Sequence, residues 1–390
     1  MDPSIALLRD LVAIDSVNPS LVPGAAGEGP IAAVIADHLR GIGLDVEIQD
    51  VAPGRPNVIG VLEGRARGRS LMLCGHVDTV GVEGMSRPFD PVERDGRLYG
   101  RGSQDMKGGV AAMIDSARVL ARDGLAAGRL IVAAVIDEEY ASIGADALVT
   151  RWRADGAVVT EPTDLQIAIG HKGFAWFEIE TRGRAAHGSR PREGRDAIVR
   201  MGRVLTELER LDRRLQARPP HPLMGTASLH ASVIAGGREL SSYPDRCTLK
   251  YERRTIGGES QADVTREIMA VLSVLRAEDP EFEASVTSLF GRPCYEVPAT
   301  HELPAALGRA LARTDPSSRS AVVTNQFVGM SFWTDAAVLG GAGIPAVLFG
   351  PGGAGLHSVE EYVVIQDVLR CRDTLTALAR GWCEGTPDRK

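Results

Sequence analysis

The sequence predicts an α/β fold, with a central mixed sheet and an α+β module inserted into it. Three observations carry that expectation. Strands and helices alternate through the first part of the chain, apolar–polar alternation takes over after Gly173, and α/β character returns from Pro304 onward. A length of 390 residues makes two domains a more natural division than one.

The opening stretch "MDPSIALLRDLVAIDSVNPS" reads as a helix, with Asp2 as N-cap and Pro3 in the first turn. Ile5, Leu8, Leu11 and Val12 then share one face. "GPIAAVIADHLRGIGLDVEIQDV" is a helix, a glycine stop and a strand from Leu44. "SLMLCGHV" and "RLIVAAVID" are short buried strands, and "GGVAAMIDSARVLARDG" between them has helical spacing that ends at Gly124. "GAVVTEP" is a further strand that ends at an acid.

After Gly173, "FAWFEIETRGRAA" alternates as a half-exposed antiparallel strand does. The helix "GRDAIVRMGRVLTELERLDRRL" follows, then strands around "TASLHASVIAGG" and "CTLKYERRT", then the helix "SQADVTREIMAVLSVLRA". This β-α-β-β-α-β order resembles a ferredoxin-like module. A helix from Pro304, the strand "IPAVLFGPG" and the closing helix "VVIQDVLRCRDTLTALARGW" complete the chain.

Composition narrows the function. Hydrophobic residues make up 44% and charged residues 24%, as in a globular protein with a real core. The formal charge is −7 and no long basic run occurs, which argues against a nucleic-acid partner. No cationic stretch leads into an apolar signal core, and no run approaches a membrane span. The five cysteines are odd in number and widely spaced, with no C-x-x-C pair, which suits a reducing cytosol. A cytoplasmic enzyme is the expectation.

The polar residues of interest sit where apolar strands stop. "LMLCGHVDTV" ends a strand with His76 and Asp78, and "YGRGSQDMKGG" puts Asp105 in a glycine-rich loop before a helix. "VIDEEY" delivers Asp137, Glu138 and Glu139 together, "VVTEP" delivers Glu161, and "LFGPGGAGLHSVEEY" delivers His357. Ligands of α/β sheets bind outside the carboxyl ends of strands. A single histidine after a strand is more often a structural residue, and an acidic turn is more often a solvated one. Together, two histidines and several carboxylates without thiolates suit zinc, cobalt or manganese. They point to a two-metal hydrolase site in which a carboxylate bridges the ions.

In these stretches, and in "EPTD", "AAHGSRP" and "YPDRCTLKYERRTIGGE", the sequence resembles the di-zinc peptidases and deacylases. That family includes acetylornithine deacetylase, succinyl-diaminopimelate desuccinylase, aminoacylases and glutamate carboxypeptidase. The motifs run in family order along nearly the whole chain. The resemblance implies a catalytic domain from residues 1–172 and 294–390, with a lid and dimerisation domain over 173–293. It implies that His76 binds the first metal, with Asp78 on its other ring nitrogen, and that Asp105 bridges the two ions. Glu161 then completes the first site, and Glu139 with His357 the second. A cis peptide is implied between Asp105 and Met106. Glu138 becomes the general base that takes a proton from metal-activated water.

The same resemblance makes His187 the residue that stabilises the oxyanion, often from the partner subunit of a homodimer. Of the pair Arg253 and Arg254, it makes Arg254 the guanidinium that grips a substrate carboxylate. Two positions depart from the family pattern. Ser241 stands where many members have an asparagine that touches substrate, and Gly257 replaces a proline. His38 and His221 read as structural or exposed, while His171, in "GHKGF", lies at the module junction. The "GGAG" beside Gly352 lacks the lysine of a phosphate loop.

The expected function is therefore a metal-dependent hydrolase that cleaves the amide of an N-acyl-L-amino acid, using two divalent ions, foremost zinc. In the resembling family a glutamate at the Glu161 position goes with deacylases and an aspartate with peptidases. A dipeptidase or carboxypeptidase is the second expectation. A non-catalytic relative that binds an amino acid is the third.

Overall fold

The computed structural model describes residues 1–314 and 326–385. By its internal contacts the chain divides into two compact units. The first comprises Met1–Ile169, Val297–Val328 and Thr334–Lys390, and the second Gly170–Glu296 with Gly329–Trp333.

In the first unit a mixed sheet runs in the spatial order Asp45–Ala52, Arg55–Glu63, Ala127–Val135, Ala66–His76, Gly156–Val159 and Ala346–Leu348. The first three are antiparallel neighbours, whereas Ala127–Val135, Ala66–His76, Gly156–Val159 and Ala346–Leu348 run parallel to one another. Leu71, Met72, Leu73 and Cys74 are fully buried, as are Leu130 to Ala133. That explains why these strands read as continuous apolar runs rather than alternations, since a parallel strand is covered on both faces. The closing helix Ile365–Cys383 packs on the helices Gly108–Asp123 and Glu302–Thr314 and on the strand Ala66–His76.

The first helix, Pro3–Val12, is capped by the Asp2 carboxylate, which accepts from the Ser4 N–H at 2.8 Å, and it buries Ile5, Leu8, Leu11 and Val12. Two elements had no clear sequence signal. The strand Arg55–Glu63 opens on Arg-Pro and carries Gly60, where an added Cβ would lie 3.0 Å from methyl carbons of Leu39 and Leu44. The helix Ile143–Arg151 spans only nine residues and begins without a side-chain cap. A small antiparallel sheet of Val92–Arg94, Arg97–Tyr99, Tyr362–Val364 and Gly353–Ala354 was equally silent, because two- and three-residue strands carry no period.

The second unit holds four antiparallel strands in the order Ser228–Gly236, Arg246–Thr255, Gly173–Arg182 and Glu283–Arg292. Helices Ala197–Gln216 and Gln261–Glu278 cover one face, around a core that includes Phe177, Ile179, Met201, Leu208, Leu249 and Leu272. The connection and strand order are those of a ferredoxin-like fold. Ser260 and Asp263 form a capping box at the second helix. The segment Gly329–Trp333 belongs here through contacts distant in sequence: the Lys172 N–H donates to the Met330 carbonyl, and Trp333 Nε1 donates to the Pro293 carbonyl. No helix among the described residues is long and apolar enough to cross a membrane.

Candidate metal centre

The parallel strands of the first unit end side by side, and each delivers a polar side chain just past its last residue. His76 closes Ala66–His76, Glu138 and Glu139 follow Ala127–Val135, and Glu161 follows Gly156–Val159. His357 lies in the loop beyond Ala346–Leu348. Asp105 arrives from a glycine-rich loop whose Asp105–Met106 peptide is cis. The loop needs its glycines: Gly102 has φ +78°, and a Cβ there would meet Thr79 Cγ2 at 2.7 Å.

Asp105 stands between the two imidazoles. Its Oδ1 is 3.1 Å from His76 Nε2 and its Oδ2 is 3.2 Å from His357 Nε2. Glu139 Oε2 lies 3.1 Å from His357 Nε2. On the other side, Glu138 Oε2 and Glu161 Oε1 lie 3.9 and 4.0 Å from His76 Nε2. Distance alone therefore does not separate Glu138 from Glu161. Two triads, His76–Asp105–Glu139 and His76–Glu138–Glu161, each bring their ligand atoms within 4.8 Å of one another.

The electrostatics ask for cations. Burial pushes the Glu138 and Glu161 carboxyls well up, and neighbouring carboxylates push further, against the pull of His76. Burial and the Asp105 charge lift Glu139 to about 7, with His357 opposing them. Burial acts on Asp105 as well, but the hydrogen bonds from His357 and His76 outweigh it and hold that carboxyl well below the ordinary range. Glu139 Oε1 is buried with no hydrogen-bond partner. Four crowded carboxylates against two imidazoles, one with a bare buried oxygen, form an all-oxygen-and-nitrogen donor set that fits a pair of divalent ions. Zinc, cobalt and manganese all suit it.

Asp78 does more than the sequence suggests. The nearest atom to His76 Nδ1 is the Asp78 backbone carbonyl, at 3.0 Å, with the carboxylate at 3.5 Å. The carboxylate instead accepts the backbone N–H groups of Glu138 and Glu139, at 3.1 and 3.2 Å. One residue thus orients the imidazole of one strand end and the acidic turn of the next.

Three residues without a sequence motif stand behind that turn. Asn18 Nδ2 donates to Asp78 at 2.8 Å and to Asp137 at 3.1 Å. Arg55 pairs with Asp137 at 2.8 Å and with Glu28 at 2.6 Å. Asp137, the third acid of the turn, faces away from the metal donors and adopts φ +66°, a conformation Asp tolerates better than most residues. Only the N-terminal segment's return past Thr79, through the Asn18 N–H to Thr79 carbonyl bond, brings Asn18 here. Nothing in the local sequence announces it.

His187 and Arg254 belong to the second unit. His187 is exposed, and its Nδ1 lies 2.8 Å from Ser189 Oγ and 3.2 Å from the Ser189 backbone nitrogen. The Ser241 carbonyl beside it accepts the Gly188 N–H at 2.7 Å. Arg254 Nε donates to Glu252 at 2.6 Å, and its guanidinium lies 5.6 Å from the Phe174 ring centroid. Arg253 is buried and bound to Glu259 and Glu267, a structural role. Gly257 leaves room that a Cβ would take from His221, at 3.0 Å from Nε2. His171 is fully buried, with burial lowering it to about 4, and its ring lies 6.0 Å from those of Tyr295 and Trp333.

A family model described as Peptidase family M20/M25/M40 matches residues 72–381. An acetylornithine deacetylase of Myxococcus xanthus is 31% identical, over 97% of both chains. An N-formyl-4-amino-5-aminomethyl-2-methylpyrimidine deformylase of Bacillus subtilis is 30% identical, over 97% of this chain and 94% of its own. Among solved structures, a dinuclear metal binding peptidase of the M20 family from Bacillus subtilis superposes with a TM-score of 0.70 at 17% identity, covering 98% of each chain.

Proposed function

The chain belongs to peptidase family M20/M25/M40 and is a metallohydrolase of amide bonds, and on that premise we propose that it removes the acyl group from an N-acyl-L-amino acid. The observation that carries the reading is the Asp105 carboxylate set between two imidazoles with Glu138 beside them. Two relatives of about 30% identity, both named for removing an acyl group, support deacylation over peptide cleavage. Glu161 supports it too, since in the family that the sequence resembles a glutamate at this position goes more with deacylases.

In this reading His76, Glu161 and Asp105 hold one divalent ion, and Glu139, His357 and Asp105 the other, with zinc the foremost choice. Such ions supply Lewis acidity, acidifying a water and polarising an amide carbonyl. Glu138 takes the proton from the attacking water and returns it to the leaving nitrogen. Asp78 fixes the His76 ring and the Glu138–Glu139 turn. His187 donates through Nε2 to the carbonyl oxygen as charge develops there. Arg254 grips the α-carboxylate of the amino acid; its Nε is held by Glu252, and no other hydrogen bond reaches its guanidinium among the described residues.

A homodimer through the second unit fits the strand Ser228–Gly236, which lies at a sheet edge with Val233 and Ile234 58% and 52% exposed. The five free cysteines, four of them buried, are consistent with a cytoplasmic protein.

The deciding experiment is amine release from a matched panel of N-acetyl and N-succinyl amino acids and of dipeptides with the same C-terminal residues. It is run with zinc, with cobalt and with chelator. Faster, metal-dependent turnover of the acylated set is expected. Faster turnover of the dipeptides would make the protein a dipeptidase or carboxypeptidase, the second reading, which the peptidase solved structurally favours. No turnover of any member with either metal would leave a binding protein.

Arg254→Met is expected to raise KM for the best acyl amino acid about 10–100-fold, the loss of a charge-assisted pair worth about 1.5–3 kcal/mol. Arg254→Lys recovers only part of it, because an ammonium lacks the fork. A wild-type KM in Arg254→Met would remove this residue from substrate binding.

A further inference from the structure

Glu361 has no place in the reading above, yet it is the most densely bonded carboxylate near the centre. Its residue is 2% exposed. Oε2 accepts from Arg101 Nη1 at 2.6 Å and from the Gly102 N–H at 2.9 Å. Oε1 accepts from the Gln104 N–H at 2.9 Å and from the N–H of Asp105 itself at 3.1 Å. Arg101 also reaches across to the Ser358 carbonyl at 3.0 Å.

The small antiparallel sheet makes this meeting unavoidable. Tyr362 pairs with Tyr99, Val363 with Leu98 and Val364 with Arg97. The register therefore sets Glu361, just ahead of Tyr362, against the segment just after Tyr99, and the Gly100 N–H donates to the Glu361 carbonyl at 3.1 Å. His357 lies four residues before Glu361 on the same loop, and its side chain is 55% exposed. His357 sits within a tight turn in which the Ser358 N–H donates to the Gly355 carbonyl at 2.9 Å, and the chain folds back so closely that a Cβ on Gly355 would fall 1.9 Å from the Glu360 carbonyl oxygen.

The two ends of the centre are thus supported differently. His76 and Glu161 are buried, each within two residues of the end of a central-sheet strand. Asp105 and His357 sit on separate loops, and Glu361 with Arg101 is what ties those loops together. We propose that Glu361 is a positioning residue that sets the Asp105–His357 spacing and so controls the affinity of the ion held by Asp105, Glu139 and His357, leaving the ion at His76 and Glu161 little affected. This inference rests on the two-ion reading.

The choice of a carboxylate follows from donor counting. Four donors converge on two oxygens, and a carboxylate accepts all four. A glutamine of the same shape must turn its NH2 group toward two donors in either flip, so two bonds are lost and two N–H groups of the Asp105 loop or its arginine are left facing a donor.

The test is a cobalt titration of the chelator-stripped full chain, followed by visible absorption, for wild type, Glu361→Gln and Arg101→Lys. Wild type is expected to take two equivalents. Glu361→Gln should take the first with wild-type affinity and the second about 10–100-fold more weakly, the range typical of a lost outer partner. Arg101→Lys keeps the charge on Glu361 but cannot also span to Ser358, so it should weaken the same equivalent by less. It also serves as the readout should Glu361→Gln fail to fold. In a His357→Ala background, Glu361→Gln should leave the remaining equivalent unchanged.

Equal weakening of both equivalents would reduce Glu361 to a general structural role, and an unchanged second equivalent would dismiss it altogether. Either result overturns the proposal while two-ion binding by the wild type stands. A wild type that takes a single equivalent would instead overturn the two-ion reading beneath it.

Discussion

Glu138→Ala is expected to lower kcat about 10²–10⁴-fold, the usual contribution of a general base, while the protein still binds its metal ions. The reasoning begins with adjacency. Glu138 and Glu139 are consecutive residues of one turn, and Asp78 holds both of their N–H groups. Their side chains diverge: Glu139 Oε2 is 3.1 Å from His357, whereas Glu138 Oε2 is 3.9 Å from His76. The checks are steady-state kinetics with the best member of the amide panel and metal content per chain after dialysis. Loss of an ion along with turnover would make Glu138 a ligand, and unchanged turnover would pass the base role elsewhere. Geometry gives this test its weight, because Glu161 lies at almost the same distance from His76.

Asp105→Ala is expected to strip the centre of both ions and to abolish turnover. Asp105 is the carboxylate with one oxygen near each imidazole, at 3.1 and 3.2 Å. Its removal therefore weakens both ion positions at once, and by more than the roughly 10–100-fold expected for an outer partner. Asp105→Asn keeps the volume and one acceptor but lacks the charge, and should retain more metal than alanine does while remaining nearly inactive. Metal analysis together with the cobalt titration checks both. If Asp105→Ala kept one ion at wild-type affinity, Asp105 would not be a bridge.

The predictions differ in how far the sequence alone could carry them. His76, Asp105, Glu138, Glu139, Glu161 and His357 were visible because each follows an apolar run or a glycine loop, and the end of a strand is a place where a polar residue stands out. The sheet itself was visible for the same reason. Buried parallel strands such as Leu71–Cys74 must be apolar throughout, and a ferredoxin-like module must alternate, so both leave a period in the chain. Helix starts were legible where a side chain closes the backbone locally, as Asp2 does for the first helix.

What the sequence could not show is the support behind those residues. Asn18 and Arg55 reach Asp78 and Asp137 across 60 to 119 residues of chain, Glu28 pairs with Arg55 across 27, and Glu361 reaches Asp105 across 256. Such bonds depend on which strand lies beside which, and a single side chain carries no mark of its distant partner. Asp78 illustrates the division within one residue. The family resemblance marked it as a partner of the ring, but only the packed turn shows that its carboxylate is spent on the N–H groups of Glu138 and Glu139. The sequence by itself determined the long, periodic helices and strands, the polar residues at the strand ends and the type of ion they suit, because those follow from local period and donor chemistry. The tertiary structure decided which donors face one another and what holds them there, because distances between loops are set by sheet order and register, which no local pattern encodes.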